Sequence, residues 1–465
     1  TYKALASTRY MFQNTPQNTL TGHVTMAEIS DSPPPTPTAP FKRRLKNFTS
    51  PGENPAKYRP GGYHPVNLGD IFNDGQYKVI RKLGEGCFSI VWLAHDLRNS
   101  RYVALKILVS DQEDQSQEVE ILHHLAKVAP SEAPQRTTQI LAEFEHKGPN
   151  GTHKCLVFEP MGPSVNQMIL EFAYREDKFP SEIKYPPQMA KRILRDSLKG
   201  LAFLHKNGIS HADFQPGNML FSLNNIDSCD EAALCQEETP DEEYRIERLD
   251  GKKDKWAPEY LLTAEPLASH TSIDESLEVK LADMGGAYFL NDPPEEPVVP
   301  RALRAPELVL KGEFDKAQDI WSFGCLVFEL IAGRHLFYIC GPFKDETEPD
   351  DEHLLEIQDR LGPLPDELYS HWKTSSRYYT KDRKLYNWAL GGAEEGKEPK
   401  MPEPSMLSTM EEAFDKESPE MTEAEAQEVK KLIRWILQYD PAKRPSAEEI
   451  LRHPWFAEDS SEKAE

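Results

Sequence analysis

Between Tyr77 and Val109 three runs rich in β-branched and aromatic residues, YKVIRKLGEG, SIVWLAHD and RYVALKILV, are separated by turn residues. That pattern predicts three antiparallel strands. Residues 115 to 126, QSQEVEILHHLA, change to helical spacing, with Val119, Leu122 and Ala126 three and four apart. The run KCLVFEPMG is a further strand and closes a small β-rich lobe. After Gly162 the period is mainly helical: Met189, Ile193, Leu194, Leu198, Leu201 and Leu204 make one apolar face, and Gly208 supplies the stop. DIWSFGCLVFELIAG is apolar nearly all round, which predicts the buried central helix of a larger lobe.

Interruptions of these periods set the organisation. Pro and Gly punctuate residues 31 to 63 (SPPPTPTAP, SPGENPAKYRPGGY), so residues 1–76 read as a disordered N-terminal tail. The small lobe is expected over 77–160, the large lobe over 161–456 and a C-terminal tail over 457–465. Acidic, low-order stretches at about 222–257 and 391–426 read as surface insertions in the large lobe. Hydrophobic content of 38% and charged content of 28% fit a globular chain, while 38 prolines leave room for disorder.

A net charge of -23 argues against nucleic acid as a direct ligand, since phosphate binding needs clustered Lys and Arg; a basic protein partner fits, and so does acidity that serves only solubility. The six cysteines form no CxxC pair, so neither a disulfide framework nor a zinc site is indicated and a reducing compartment, cytoplasmic and/or nuclear, is expected. No apolar run approaches the ~20 residues that cross a bilayer. Residues 1 to 27 carry Lys3 and Arg9 but no acid through residue 26, a faint likeness to a presequence without its helical stripe; a disordered tail is the preferred reading. A soluble monomer is expected.

Two constellations carry chemistry, and a third set is structural. In Gly84-Glu85-Gly86-Cys87-Phe88-Ser89-Ile90-Val91 the glycines let backbone N–H groups approach phosphate oxygens, although an ordinary hairpin turn has the same look. Strand alternation puts Ala104 and Lys106 on one face, where Glu118 of the next helix could pair with the ammonium, while Glu120 points away. The second set is His211-Ala212-Asp213, Asn218 five residues after the Asp, and Asp283-Met284-Gly285 behind VKLA. Phosphoryl transfer needs a carboxylate to orient and accept the proton of the attacking hydroxyl, a role for Asp213, and hard oxygen ligands for Mg²⁺, for which Asn218 and Asp283 are suited. The third set is Ala305-Pro306-Glu307, Asp319 before the apolar helix, and Arg444 in DPAKRPSAEEIL.

In this order the three sets resemble the eukaryotic protein kinase pattern from Tyr77 to Phe456. More narrowly, GEGCFSIVWLA, the hinge CLVFEPMG, the spacer between Asn218 and Asp283, and DDEHLLEIQDRLGPLP resemble the SR-protein kinases, CMGC-group enzymes that phosphorylate serines in Arg/Ser-rich splicing proteins. The resemblance implies an α+β, bilobal protein-kinase fold with a small β-rich N-lobe, a larger mainly helical C-lobe and Mg-ATP between them. It implies Asp213 as catalytic base and Lys106, held by Glu118, on the phosphates. It makes Phe158 the gatekeeper, gives adenine contacts to Glu159 and Met161, and lines the rest of the nucleotide site with Leu83, Gly84, Glu85, Gly86, Cys87, Phe88, Ser89, Val91 and Ala104. It also implies a groove for basic Arg/Ser-rich protein, with docking acids at Glu352 and Asp359; Glu356 shares their helix face at i+4. A part in mRNA splicing regulation would follow.

Two departures matter. Ala212 stands where many kinases have Arg, and the segment between Gly285 and Ala305 offers no Ser or Thr, only Tyr288, so activity without activation-loop phosphorylation is expected. Gln215 stands where most Ser/Thr kinases have a Lys that contacts the transferred phosphate. A lost donor to transition-state charge can cost roughly 10²- to 10³-fold. A nucleotide-binding pseudokinase or low-activity scaffold is therefore the alternative to a slowed but active kinase.

Overall fold

The computed structural model describes residues 45–46, 52–111, 117–237, 244–274, 276–341, 343, 345–385 and 408–457. It divides into two compact units: Thr1–Gln115 with Gln139–Pro163 and Ser222–Ser272, and Ser116–Thr138 with Ser164–Phe221 and Ile273–Glu465.

The first unit is built on β1 (Ile71–Phe72), β2 (Tyr77–Glu85), β3 (Ser89–Asp96), β4 (Arg101–Leu108), β5 (Ile140–Gly148) and β6 (Gly151–Phe158), ordered β1-β2-β3-β4-β6-β5 and antiparallel throughout. Short hairpin connections make neighbours of consecutive strands. Trp92, Ala94, Val103, Leu105, Ile107, Cys155 and Val157 face one core. By strand alternation, Val91, Ala104, Lys106 and Phe158 take the opposite face, with Val91 across from Lys106 and Ala104 across from Phe158.

Two expectations are corrected here. Residues 52–76 are ordered, not a tail: Tyr58, Tyr63, Val66 and Phe72 are buried in the core of the sheet's first face. Burying such side chains stabilises by about 1.5–3 kcal/mol each, enough to fix a Pro- and Gly-rich segment that has no period of its own. Residues 1–44 and 47–51 lie outside the described residues. The acidic stretch at 222–257 is likewise no appendage of the helical unit, since its described residues belong to the sheet's unit. β1 covers only the start of β2, and the rest of that edge is paired by this stretch and its continuation to residue 267: Gln236 N donates to Ile80 O (2.9 Å), Lys82 N to Gln236 Oε1 (3.0 Å) and Glu265 N to Lys82 O (2.9 Å). A bare strand edge is thereby covered. Leu234 and Leu267 anchor it beside Ile80 and Leu93.

The second unit is mainly helical. Its helices of eight residues or more are α1 (Glu118–Val128), α2 (Val165–Glu176), α3 (Pro187–Lys206), α4 (Ala317–Ala332), α5 (Glu348–Leu361), α6 (Met410–Glu417) and α7 (Glu423–Ile436). Helix α4 is buried on nearly every side, as its composition predicts. Gly324 lets α7 approach closely: a Cβ there would lie 2.6 Å from Leu437 Cδ2 and 2.8 Å from Ile436 Cγ2. Helix α1, expected in the small lobe, groups with this unit because it packs on the 3-10 turn Met284–Gly286. Its buried stripe is Glu118, Ile121, Leu122 and Leu125, so of the expected Val119, Leu122 and Ala126 only Leu122 is buried. Of the second acidic stretch, 391–407 lies outside the described residues, while 408–426 includes α6 and the start of α7.

Candidate active site

His211 to Asn218 run from β7 (Ile209–Ser210) into a 3-10 turn, Pro216–Asn218, that leads to β8 (Met219–Phe221). β8 pairs with β9 (Val279–Leu281), which ends two residues before Asp283, and β7 pairs with β10 (Tyr288–Phe289). Buried Asp319, at the start of α4, ties this loop down. Its Oδ2 accepts from Ser210 Oγ (2.8 Å) and His211 N (2.9 Å) and lies 2.9 Å from His205 Nε2; its Oδ1 accepts from Ala212 N (2.9 Å). Burial alone would raise the Asp319 carboxyl, but His205, His211 and Ser210 outweigh it and hold the group below its ordinary range. These bonds hold Ala212 at φ 58°, a left-handed conformation that costs a non-glycine residue about 1 kcal/mol.

The loop's turn folds Asp213 into a cluster. Asn218 Nδ2 donates to Asp213 Oδ2 (2.8 Å) and to its carbonyl (2.9 Å), and Gln215 Nε2 donates to Asp213 Oδ1 (2.6 Å). Burial raises the Asp213 carboxyl above its usual range; His211 and Asn218 oppose the rise and the charge of Asp283 adds to it. Asp283 has φ 56° and accepts from Gly285 N (3.3 Å). A Cβ on Gly286 would stand 3.3 Å from Asp213 Cβ, so glycine lets the two segments close together. Asp213, Gln215, Asn218 and Asp283 are thus brought together. Two neighbouring carboxylates that repel, beside an amide oxygen whose nitrogen is spent on Asp213, form a hard-oxygen set that fits a divalent cation. Among the described residues no cluster of three or more His, Cys, Asp or Glu could hold a metal.

In the sheet's unit, Lys106 and Ala104 are buried on β4, Val91 is half-buried on β3, and Phe158 and Met161 are buried at the end of β6 and just beyond it. Glu159 N donates to Gln139 O (3.2 Å) while Glu159 Oε1 accepts from Gln139 N (3.1 Å), which fixes the strand exit. Leu83 packs with Ile80 and Leu93. Gly84 and Glu85 end β2, Gly86 to Phe88 connect it to β3 and Ser89 opens β3, with Glu85 to Phe88 exposed and Ser89 buried. In the helical unit, Glu118 is buried in the first turn of α1 and Glu120 is exposed.

The three candidate docking acids of α5, Glu352, Glu356 and Asp359, are half-buried, not a solvated face. Glu352 Oε2 accepts from Cys340 N (3.1 Å). Glu356 and Asp359 line a cavity of about 300 Å³ with Leu355, Tyr369, Tyr379 and Arg383, whereas Glu352 is not part of that lining. Burial raises all three carboxyls and pushes Glu356 up to about 7. The sequence reading missed the aromatic side of this cavity. Its signal was the run SSRYYTKDRKLY, dense in Tyr and cations.

Between Asp283 and α4 the chain is held by its own side chains. Arg304 Nε donates to Val299 O (2.9 Å) and Nη2 to Pro297 O (3.3 Å), and Arg301 pairs with Asp350 (3.1 Å). Tyr288 is buried, and its hydroxyl accepts from Gln318 Nε2 (3.0 Å). Glu307 and Arg444 form a buried two-pronged ion pair at 2.6 and 2.7 Å.

The family model for the protein kinase domain matches residues 77–456. The serine/threonine-protein kinase SRPK of Physarum polycephalum is 30% identical over 88% of this chain and 92% of its own length. SRSF protein kinase 3 of Homo sapiens is 24% identical over 87% of this chain and 90% of its own. Among solved structures, a crystal structure of a kinase domain matches 85% of this chain and 99% of its own with a TM-score of 0.57 at 24% identity, a likeness of fold. The chain belongs to the protein kinase family, as a serine/threonine kinase of the SR-protein kinase type, and so works with ATP and a divalent metal ion.

Proposed function

We propose that this kinase phosphorylates serine in Arg/Ser-rich proteins, with Mg²⁺ as its metal and without prior phosphorylation of its activation segment. One observation carries the reading: the Asp213 carboxylate is held by two side-chain amides and stands beside a second carboxylate, Asp283. Bound ATP supplies the phosphoryl group that moves to the substrate hydroxyl. Asp213 orients that hydroxyl and takes its proton, Asn218 fixes the carboxylate through Nδ2, and Asn218 and Asp283 would hold the metal, which would neutralise charge on the phosphates. Lys106 serves the nucleotide phosphates, and Val91, Ala104 and Phe158 on the same face of the sheet give adenine an apolar seat.

Independence from phosphorylation is supported by the segment's own fastening. Its sole hydroxyl residue between Gly285 and Ala305 is buried and engaged, and Arg304 orders its end without a phosphate. The half-buried acids Glu352, Glu356 and Asp359 support basic peptide as the docked partner. The alternative of a nucleotide-binding protein with little turnover draws on the Gln215 amide, which is spent on Asp213 instead of a phosphate.

The test is transfer from labelled Mg-ATP to an Arg/Ser-rich peptide and to a neutral serine peptide. The wild-type chain should label the Arg/Ser-rich peptide preferentially, and Asp213→Ala should abolish labelling while retaining nucleotide binding. Glu352→Lys with Asp359→Lys should raise KM for the Arg/Ser-rich peptide alone. Nucleotide binding with no labelling of either peptide by the wild type would establish the alternative.

A further inference from the structure

The segment before the sheet does more than cover its core. Tyr63 OH donates to the carbonyl of Gly86 (2.5 Å) and stands 3.3 Å from that of Cys87. Lys57 Nζ donates to the Cys87 carbonyl (3.2 Å) and to the Tyr63 hydroxyl (3.2 Å), and lies 5.3 Å from the centre of the Tyr63 ring. A second fastening sits at the base of the same loop. The fully buried ammonium of Lys82 pairs with Glu53 and with Glu85 (3.0 Å) and donates to Leu262 O (2.9 Å); Glu53 in turn accepts from Tyr58 OH.

In a trans peptide the C=O and the following N–H point in opposite directions. Fixing the carbonyls of Gly86 and Cys87 toward Tyr63 and Lys57 therefore turns the N–H groups of Cys87 and Phe88 the other way. Neither N–H has a partner among the described residues, whereas Gly86 N donates to Ser89 O (2.8 Å) and the Phe88 carbonyl accepts from Val109 N (2.9 Å). The loop thus carries two unspent donors side by side, aimed by an outside clamp and not by its own hairpin.

We propose that Lys57 and Tyr63 are positioning residues that hold the Gly86 and Cys87 carbonyls and so pre-aim the Cys87 and Phe88 N–H groups at the nucleotide phosphates. The proposal rests on the reading of this loop as the phosphate-binding loop. A glycine-rich loop left alone samples many conformations, and one held by a phenol and an ammonium loses less freedom when anion binds.

The experiment uses the full chain with Tyr63→Phe, Lys57→Met, the double variant and Lys57→Arg. For each, Kd for Mg-ATP, KM for ATP, KM for peptide, kcat and Tm are measured. Tyr63→Phe keeps the ring in the core, and half-exposed Lys57 can change without harm to folding, so the pair separates aiming from packing. Each single variant should weaken ATP by about three- to ten-fold, the worth of one net hydrogen bond, with peptide KM and Tm unchanged. The double variant should lose less than the product of the singles, because the two side chains form one network. Lys57→Arg should recover most of the affinity. Unchanged ATP affinity in both single variants at unchanged Tm overturns the clamp, as does a parallel rise in peptide KM. A wild-type chain that binds no Mg-ATP fails the reading of the loop itself, whereas one that binds ATP equally in all forms fails only the clamp.

Discussion

At Gln215 a single side chain departs from the kinase pattern beside the proposed base. Its amide donates to Asp213 Oδ1 at 2.6 Å, so it steadies the base but brings no cation to the phosphate being transferred. Gln215→Lys would supply that cation and, as a positive charge beside Asp213, would lower the carboxyl that burial and Asp283 now raise. We expect kcat to rise by about ten-fold or more, since a single donor to transition-state charge is worth up to about 10²- to 10³-fold. The acid limb of the kcat/KM profile should also move to lower pH. An unchanged kcat in single-turnover measurements would show that chemistry is not limited at this position. The spacing of Asp213, Asn218 and Asp283 was legible in the sequence because metal and base chemistry restrict residue type. What Gln215 does was not, because an amide can serve a carboxylate or a phosphate equally well and only geometry chooses.

Among the elements, the segment from Asp283 to α4 and the ion pair beyond it show order obtained from internal bonds. Tyr288→Phe removes the hydroxyl bonded to Gln318 but leaves the buried ring, so activity should stay within about two-fold, and phosphatase treatment should leave the wild type unchanged. Loss of activity on phosphatase treatment, with a phosphate mapped between Gly285 and Ala305, would contradict this. The Arg444–Glu307 pair is a sterner case. Arg444 also donates to Gln438 O (2.8 Å) and Ala317 O (3.0 Å), and both charged groups are buried. Arg444→Met strands the Glu307 carboxylate in the interior and should cost about 3–5 kcal/mol, read from the urea midpoint. Adding Glu307→Leu should recover part of that loss, since the stranded charge is then gone. At this scale β2, β3, β4 and β6 were legible from their β-branched runs, α3 from its apolar period and α4 from being apolar nearly all round, whereas β1 and β5 were not predicted. The ordered stretch at 52–76 and the β2-edge segment were not, because their anchors are isolated side chains between prolines and acids, with a partner surface far away in sequence. Helix α1 shows a subtler loss: its buried stripe includes Glu118, a position that a hydrophobic count passes over.

Across the whole molecule, the response to acid should be set by buried histidines more than by the net charge of -23. Burial lowers His64, in the sheet's unit, to about 3 and His353, in the helical unit, to about 4, each from 6.5. His64 meets the rings of Phe72, His146 and His153, and the last two are also lowered by burial. His353 Nε2 lies 2.9 Å from Arg304 O and its Nδ1 is buried without a partner. The sign follows from proton counting: between the folded and unfolded values the unfolded chain binds the extra proton, so stability is full above about pH 6.5 and declines as pH falls toward each folded value. At pH 5 the loss is about 2 kcal/mol for each of the two histidines. Acidification acts in the opposite direction at Glu356, whose carboxyl burial raises to about 7 and which therefore offsets about one histidine's loss by pH 5; it also relieves repulsion among surface carboxylates, which is largely screened beyond about 8 Å at physiological salt. In 0.15 M salt (~8 Å screening) Tm should therefore fall between pH 7 and pH 5. His353→Gln, which retains a donor for Arg304 O and cannot be protonated, should make the helical unit more stable at pH 5 than in the wild type, where Glu356 offsets the histidine, while leaving the sheet's unit acid-sensitive. A Tm that stays level over this range, or a fall that His353→Gln leaves unaltered in both units, would place the acid response elsewhere.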